Sequence, residues 1–270
     1  MKHLTKLLAT ALLALGLNQA VWADDASDFR QTRQLAEQGN AEAQNNLGLM
    51  YHNGQGVRQN YAEAIRWFRQ AAEQGDAEAQ FNLGVMYYGG QGVRQDYAEA
   101  FRWFRKAAEQ GDTEAQFNLG VMYENGRGVR QDDIEAVKWF RQAAAQGLAP
   151  AQYNLGWMYA NGRGVRQDDT EAVKWYRKAA EQEYAEAQYN LGLMYASGHG
   201  VRQDDTEAVK WFRQAAAQGY ALAQYNLGIM YYSGRGVRQD RALAQEWFGK
   251  ACQNGDQDGC NNYQRLKAGY

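Results

Sequence analysis

The sequence predicts an all-α protein, a right-handed α-solenoid of about six 36-residue helix-turn-helix repeats with a half-repeat cap at each end. Three observations predict it. The segment AQNNLGLMY at 43–51 returns as AQFNLGVMY at 79 and 115, AQYNLGWMY at 151, AQYNLGLMY at 187 and AQYNLGIMY at 223, each copy 36 residues after the last. Trp67, Trp103, Trp139, Trp175, Trp211 and Trp247 keep the same interval, so the whole unit repeats and not one helix alone. Residues 25–39 align with a second helix only and 257–267 with a first helix only, which places atypical units where an array needs capping. A fixed period of this length marks stacked supersecondary units whose core is a seam between neighbours.

The N-terminal segment is read separately. Lys2 and Lys6 precede an apolar run from Leu7 to Leu17, and Val21-Trp22-Ala23 stands before Asp24 and Asp25. A basic start, an apolar stretch too short to span a bilayer and small residues before an acidic pair predict a signal peptide over 1–23. The remaining domain is then a single solenoid over 24–270, with a capping helix at 24–39, six repeats at 40–256 and a second capping helix at 257–270. The expected location is the bacterial periplasm or the extracellular medium, with no membrane insertion after cleavage. Loss of the two lysines takes the formal net charge from −2 to about −4, without a basic block, which argues against nucleic-acid binding.

Within one unit, taken from Asp76 to Gly111, each element has a local reason. Asp76 can cap a first helix whose core stripe is Ala79, Leu83, Met86 and Tyr87. Gly84 lies on that side and admits a close second helix. Gly89-Gly90 ends the helix, Gly92 gives a second permissive backbone position, and Val93 anchors the turn. Asp96 followed by Glu99 has capping-box spacing, repeated at Asn60/Glu63, Asp132/Glu135, Asp168/Glu171 and Asp204/Glu207 and missing only at Asp240/Leu243. Ala100, Trp103, Phe104, Ala107 and Ala108 form the buried stripe of the second helix, with Arg102, Arg105 and Lys106 facing water.

The two cysteines, Cys252 and Cys260, both fall in the final unit, and an even count in an exported chain favours a disulfide over a metal site or a nucleophile. Such a bridge ties the last two helices and stabilises by roughly 2.5 kcal/mol on the chain-entropy picture.

The recurring A-x-x-x-L-G-x-x-Y, then G-x-G-V-x-x-D, then A-x-x-W-F-x-x-A-A-x-x-G resembles the Sel-one-like repeat family, a branch of the tetratricopeptide superfamily with a longer turn between its helices. The resemblance covers nearly all of the chain after residue 24. The Cys252 to Cys260 element is similar to the cysteine-rich secreted members, although here only the last unit carries it. Some of those members are described as weak β-lactam hydrolases, so the resemblance also implies a cell-wall enzyme as a rival reading.

The residues offer that rival little support. Ser27, Ser197 and Ser233 lie in neither an S-x-x-K nor a G-x-S-x-G context, and His52 and His199 occupy unmatched positions. Runs such as Gly126-Arg127-Gly128 recur in every unit and follow no strand, which points to turn geometry rather than a phosphate cradle. The pairs Asp132-Asp133, Asp168-Asp169 and Asp204-Asp205 each give up one member to capping. No catalytic residue, metal site or cofactor is expected.

A second stripe of the first helix carries the functional expectation. Asn46, Asn82, Asn118, Asn154, Asn190 and Asn226 recur at one position, beside Phe81, Phe117, Tyr153, Tyr189 and Tyr225, with Asn45 in the first copy. Helical geometry turns this stripe away from the core and toward the concave wall of a superhelix. An amide supplies donors and an acceptor for a peptide backbone, and the rings supply apolar contact. Similar asparagine rows line the peptide grooves of some tetratricopeptide superhelices. Trp157 replaces an aliphatic residue, and Pro150 and Leu222 replace a glutamate, so the later units are the candidate specificity region. The expected function is a non-enzymatic adaptor holding an extended protein segment of the cell envelope or exterior. Packing of these side chains between repeats, and binding through the convex face around Arg102 and Arg105, are the alternatives.

Overall fold

A computed structural model describes residues 21–269, and the first twenty residues of the predicted signal segment lie outside them. Among the described residues there are fourteen helices and no strand. They are α1 (Val21–Glu37), α2 (Ala41–Asn53), α3 (Tyr61–Glu73), α4 (Ala77–Gly89), α5 (Tyr97–Glu109), α6 (Thr113–Asn125), α7 (Asp133–Ala145), α8 (Ala149–Asn161), α9 (Asp169–Glu181), α10 (Ala185–Ser197), α11 (Asp205–Ala217), α12 (Ala221–Ser233), α13 (Arg241–Gln253) and α14 (Gln257–Lys267). The chain is an α-solenoid of paired helices, as the period predicts. Even-numbered helices lead each repeat and odd-numbered ones trail. The chain divides into two compact units at Ala107–Ala108.

Each full helix of a repeat is thirteen residues long, a length that is marginal in isolation, so burial must hold it. In α3 the buried residues are Ala64, Ile65, Trp67, Phe68, Ala71 and Ala72, one continuous stripe. In α4 they are Ala79, Gln80, Leu83, Gly84, Met86, Tyr87 and Tyr88, a wider surface because a leading helix packs on the trailing helix before it and the one after it. The glycine of each LG pair sets the approach within a repeat. An added Cβ would stand 2.7 Å from Phe104 at Gly84, 2.5 Å from Phe140 at Gly120 and 2.8 Å from Tyr176 at Gly156. The ring occupies the volume that a side chain would need.

The terminators follow the expected chemistry with one departure. Asp76 and Asp112 accept from the amides of Ala79 and Ala115 at 2.7 Å. Asp132 accepts from Ile134 and Glu135, but its own N–H donates to Tyr123 O at 3.0 Å. The third-position glutamate pairs outward instead, Glu135 with Lys138 and Glu171 with Lys174. The capping box is therefore half made, because the leading helix's last turn supplies the other half.

Leading helices close on a left-handed glycine, for example Gly126 at φ 65. The second glycine of each turn serves a different need: a Cβ on Gly164 would lie 2.1 Å from Asp133 O, so the turn seats directly on the first residue of the previous repeat's trailing helix. The recurring G-x-G is thus packing geometry.

Cys252 in α13 and Cys260 in α14 form a disulfide with Cα atoms 4.5 Å apart, joining the last two helices. No helix among the described residues is long and apolar enough to cross a membrane.

Candidate functional site

Two amide series run along the leading helices, and they do different things. The inner one was not singled out by sequence reasoning. Gln44, Gln80, Gln116, Gln152, Gln188 and Gln224 are all buried. Each Nε2 donates to the alanine carbonyl eight residues earlier, at the end of the previous trailing helix, as in Gln152 to Ala144 O at 3.2 Å and Gln188 to Ala180 O at 3.1 Å. In the second unit each Oε1 accepts from the residue that closes the trailing helix of its own repeat, as in Gln182 to Gln152 at 2.8 Å and Gln218 to Gln188 at 2.9 Å. This series joins three successive elements and gives a further donor to helix-terminal carbonyls that otherwise accept the turn amide three residues on. Its signal was a long polar residue fixed beside a core alanine in all six copies.

The outer series is the predicted one. Asn46 is exposed, and Asn82, Asn118, Asn154, Asn190 and Asn226 are half-buried. Asn82 donates to Asn45 Oδ1 at 3.0 Å. In the second unit Asn190 and Asn226 donate to the phenols of Tyr153 and Tyr189, both at 3.4 Å, and Asn262 reaches Tyr225 at 3.5 Å. Asn226 also donates to Leu222 O at 3.1 Å. The three Asn-to-Tyr contacts are long, near the outer limit for a hydrogen bond, while the other two have ordinary lengths.

Phe81, Tyr153, Tyr189, Tyr225 and Trp157 are half-buried, each keeping an accessible edge. Phe81, Tyr153, Tyr189 and Tyr225 rest on trailing-helix rings, Tyr153 on Tyr176 at 5.8 Å and Tyr189 on Phe212 at 5.9 Å between centroids, whereas the Trp157 ring has the Arg163 guanidinium 5.2 Å from its centroid. Phe117 differs from the expectation of an open wall: it is 2% exposed and closed against Phe140, so it holds the stack.

A further row of aromatics continues this surface. Leading helices α2, α4, α6 and α14 begin on an Asn or Asp that caps the helix, but α8, α10 and α12 begin on Leu148, Tyr184 and Tyr220, and no side-chain cap forms. Tyr184 stacks obliquely on Tyr153 at 5.4 Å and Tyr220 on Tyr189 at 5.3 Å. Burial pushes the Tyr184 phenol far up and the Tyr220 phenol up to about 12, with the Glu186 carboxylate adding in the same direction. Tyr153 is raised by burial, against the pull of its bond from Asn190. All three are neutral at ordinary pH.

Several residues weighed for catalysis bond elsewhere. Ser197 Oγ donates to Leu193 O at 2.8 Å, and Ser233 does the same to Ile229 O. Asp132 and Asp204 cap helices, while Asp133 and Asp205 receive paired bonds from Arg163 and Arg235, at 2.7 and 3.1 Å in each case. Among the described residues no cluster of three His, Cys, Asp or Glu could hold a metal.

The Sel1 repeat model matches six consecutive stretches, 41–76, 77–112, 113–148, 149–184, 185–220 and 221–256. The chain belongs to the Sel1-repeat family. It is similar to the crystal structure of a protective antigen of uropathogenic Escherichia coli that displays an SLR fold, with 43% identity and a TM-score of 0.83 over 86% of this chain. The chain spans 50% of that protein's length. A Sel1 repeat protein from Oxalobacter formigenes is 36% identical with a TM-score of 0.76, over 88% of this chain and 69% of its own. No curated protein matches the sequence. Sel1-repeat proteins generally serve as protein-interaction scaffolds. The six family matches begin at the first residue of each leading helix, so the matched unit and the structural repeat coincide.

Proposed function

We propose that this Sel1-repeat chain is an exported, non-enzymatic adaptor that holds an extended protein segment along the face of its leading helices. The observation that carries the reading is the surface of α8, α10 and α12, where Tyr153, Trp157, Tyr189 and Tyr225 stand half-buried beside Asn154, Asn190 and Asn226. The tyrosine rings, anchored on one side and accessible at the other edge, give apolar contact at little entropic cost. Amides beside them can bond a peptide backbone without selecting its side chains. The interior glutamine series holds the stack, which leaves the long asparagine contacts replaceable by a ligand at small cost.

The test is a crosslinking pull-down from an envelope extract, comparing wild type with Asn118→Ala, Asn154→Ala, Asn190→Ala combined. Loss of crosslinked partners with unchanged helicity is the expected result. Full retention moves the interaction to another face. Export is tested by the N-terminal sequence of the mature protein from a periplasmic fraction, expected to begin at Asp24.

A further inference from the structure

The second unit contains a local arrangement that stack geometry does not require. At the start of a leading helix, Asp112 and Asp256 bond the amide of Ala115 and Gly259 at 2.7 and 2.6 Å. Tyr184 and Tyr220 occupy that position in α10 and α12 and make no such bond, so each helix start gives up a stabilising cap. What they create is two ring pairs on neighbouring leading helices, Tyr184 against Tyr153 and Tyr220 against Tyr189, all four half-buried. Glu186 lies in the first turn of α10, two residues after Tyr184 and three before Tyr189, a spacing that puts it on one face with Tyr189. None of the leading helices α2, α4, α6, α8, α10 and α12 carries a Lys or Arg, so the face has acids and π surfaces and takes its cations only from turns and trailing helices.

We propose that Tyr153, Tyr184, Tyr189 and Tyr220 around Glu186 form a receptor for a cationic side chain, so that the extended segment held by this face presents an arginine or lysine there. Ring faces carry negative quadrupolar charge and attract a guanidinium or ammonium, most strongly where water is partly excluded. A carboxylate in the same group adds a charge-assisted hydrogen bond. The phenols stay neutral across the physiological range, which keeps them as faces rather than anions. This inference rests on the leading-helix reading above and narrows its partner class.

The probes are dye-labelled, end-blocked octapeptides, (Ala-Arg)4, (Ala-Lys)4 and (Ala-Gln)4, followed by anisotropy at near-physiological salt with the full chain. Wild type is expected to bind a cationic peptide about tenfold more tightly than the glutamine peptide, the scale of one desolvated cation–π contact. Glu186→Gln should remove most of that preference. Glu246→Gln, an acid on α13 paired with Lys250, should leave it unchanged. Tyr184→Leu, which keeps an apolar residue as Leu148 does in α8, should weaken the cationic peptides and spare the glutamine peptide. Equal binding of all three peptides, or cationic binding untouched by Glu186→Gln, overturns the receptor. If the glutamine peptide binds as tightly and is lost in the triple asparagine variant, the face stands and the cationic class falls. Absence of binding by any octapeptide also overturns the receptor, and leaves the face to the extract experiment.

Discussion

Replacing Gln152 by Met tests the division between the two amide series, because Met keeps the length and removes only the amide. Gln152 is 4% exposed. It donates to Ala144 O at 3.2 Å and accepts from Gln182 Nε2 at 2.8 Å. Neither partner is orphaned by the change: Ala144 O still receives Gly147 N at 3.1 Å, and Gln182 still donates to Gly147 O at 2.9 Å. The loss is thus two neutral hydrogen bonds at about 1 kcal/mol each, without the larger penalty for a stranded buried group. Apolar burial of the thioether offsets part of it, so a destabilisation of about 1–2 kcal/mol is expected. Urea unfolding followed by far-ultraviolet circular dichroism reads the total, and amide exchange in α7, α8 and α9 locates it. Asn154→Ala, two positions along on the outer face, should cost under about 0.5 kcal/mol, as surface changes do. A neutral Gln152→Met beside a costly Asn154→Ala would show that the assignments of the two series are reversed.

Three further outcomes follow from particular residues. Glu183 is the one non-glycine with positive φ among the described residues, at 63, where the other repeats place Gly75, Gly111, Gly147, Gly219 and Gly255. Glu183→Gly should stabilise by about 0.5–1 kcal/mol, the relief of left-handed strain less the added freedom of the unfolded chain, read from the urea midpoint. Breaking the Cys252–Cys260 bridge with a Cys252→Ser, Cys260→Ser variant should cost roughly 2.5 kcal/mol and speed amide exchange first in α14. The phenols of Tyr176, Tyr184 and Tyr220 are raised by burial, so the unfolded chain ionises first: their contribution is intact below about pH 10 and is lost as pH climbs through the folded values, about 12 for Tyr220. Stability measured from pH 8 to 11.5 should fall beyond about 10, with part of the tyrosinate absorbance appearing only on unfolding. A flat profile would contradict the burial of these rings.

Much of the architecture was legible because period and capping are local signals. Asp76, Gly84 and Gly90 do in the structure what their residue types require, and the final bridge joins the helices that the spacing places side by side. The half-made capping box was not legible, since the competing acceptor, Tyr123 O, comes from the other helix of the pair. The site was read only in outline. Phe117 and Tyr153 share one register position, yet Phe117 is closed and Tyr153 keeps an open edge, a difference set by packing rather than by the stripe. The interior glutamines escaped notice because a polar residue on a core-flanking position looks like surface until its two partners are in place. Tyr184 and Tyr220 escaped because they stand where a cap was expected.

The central claim is that partners meet the leading helices. A photo-crosslinking amino acid placed at Leu193 on α10, and separately at exposed Gln214 on α11, tests it in cells producing the otherwise native chain. The account predicts a covalent partner from position 193 that is lost with the Asn118, Asn154 and Asn190 substitutions, and none from position 214. A partner captured from 214 and not from 193 would contradict it.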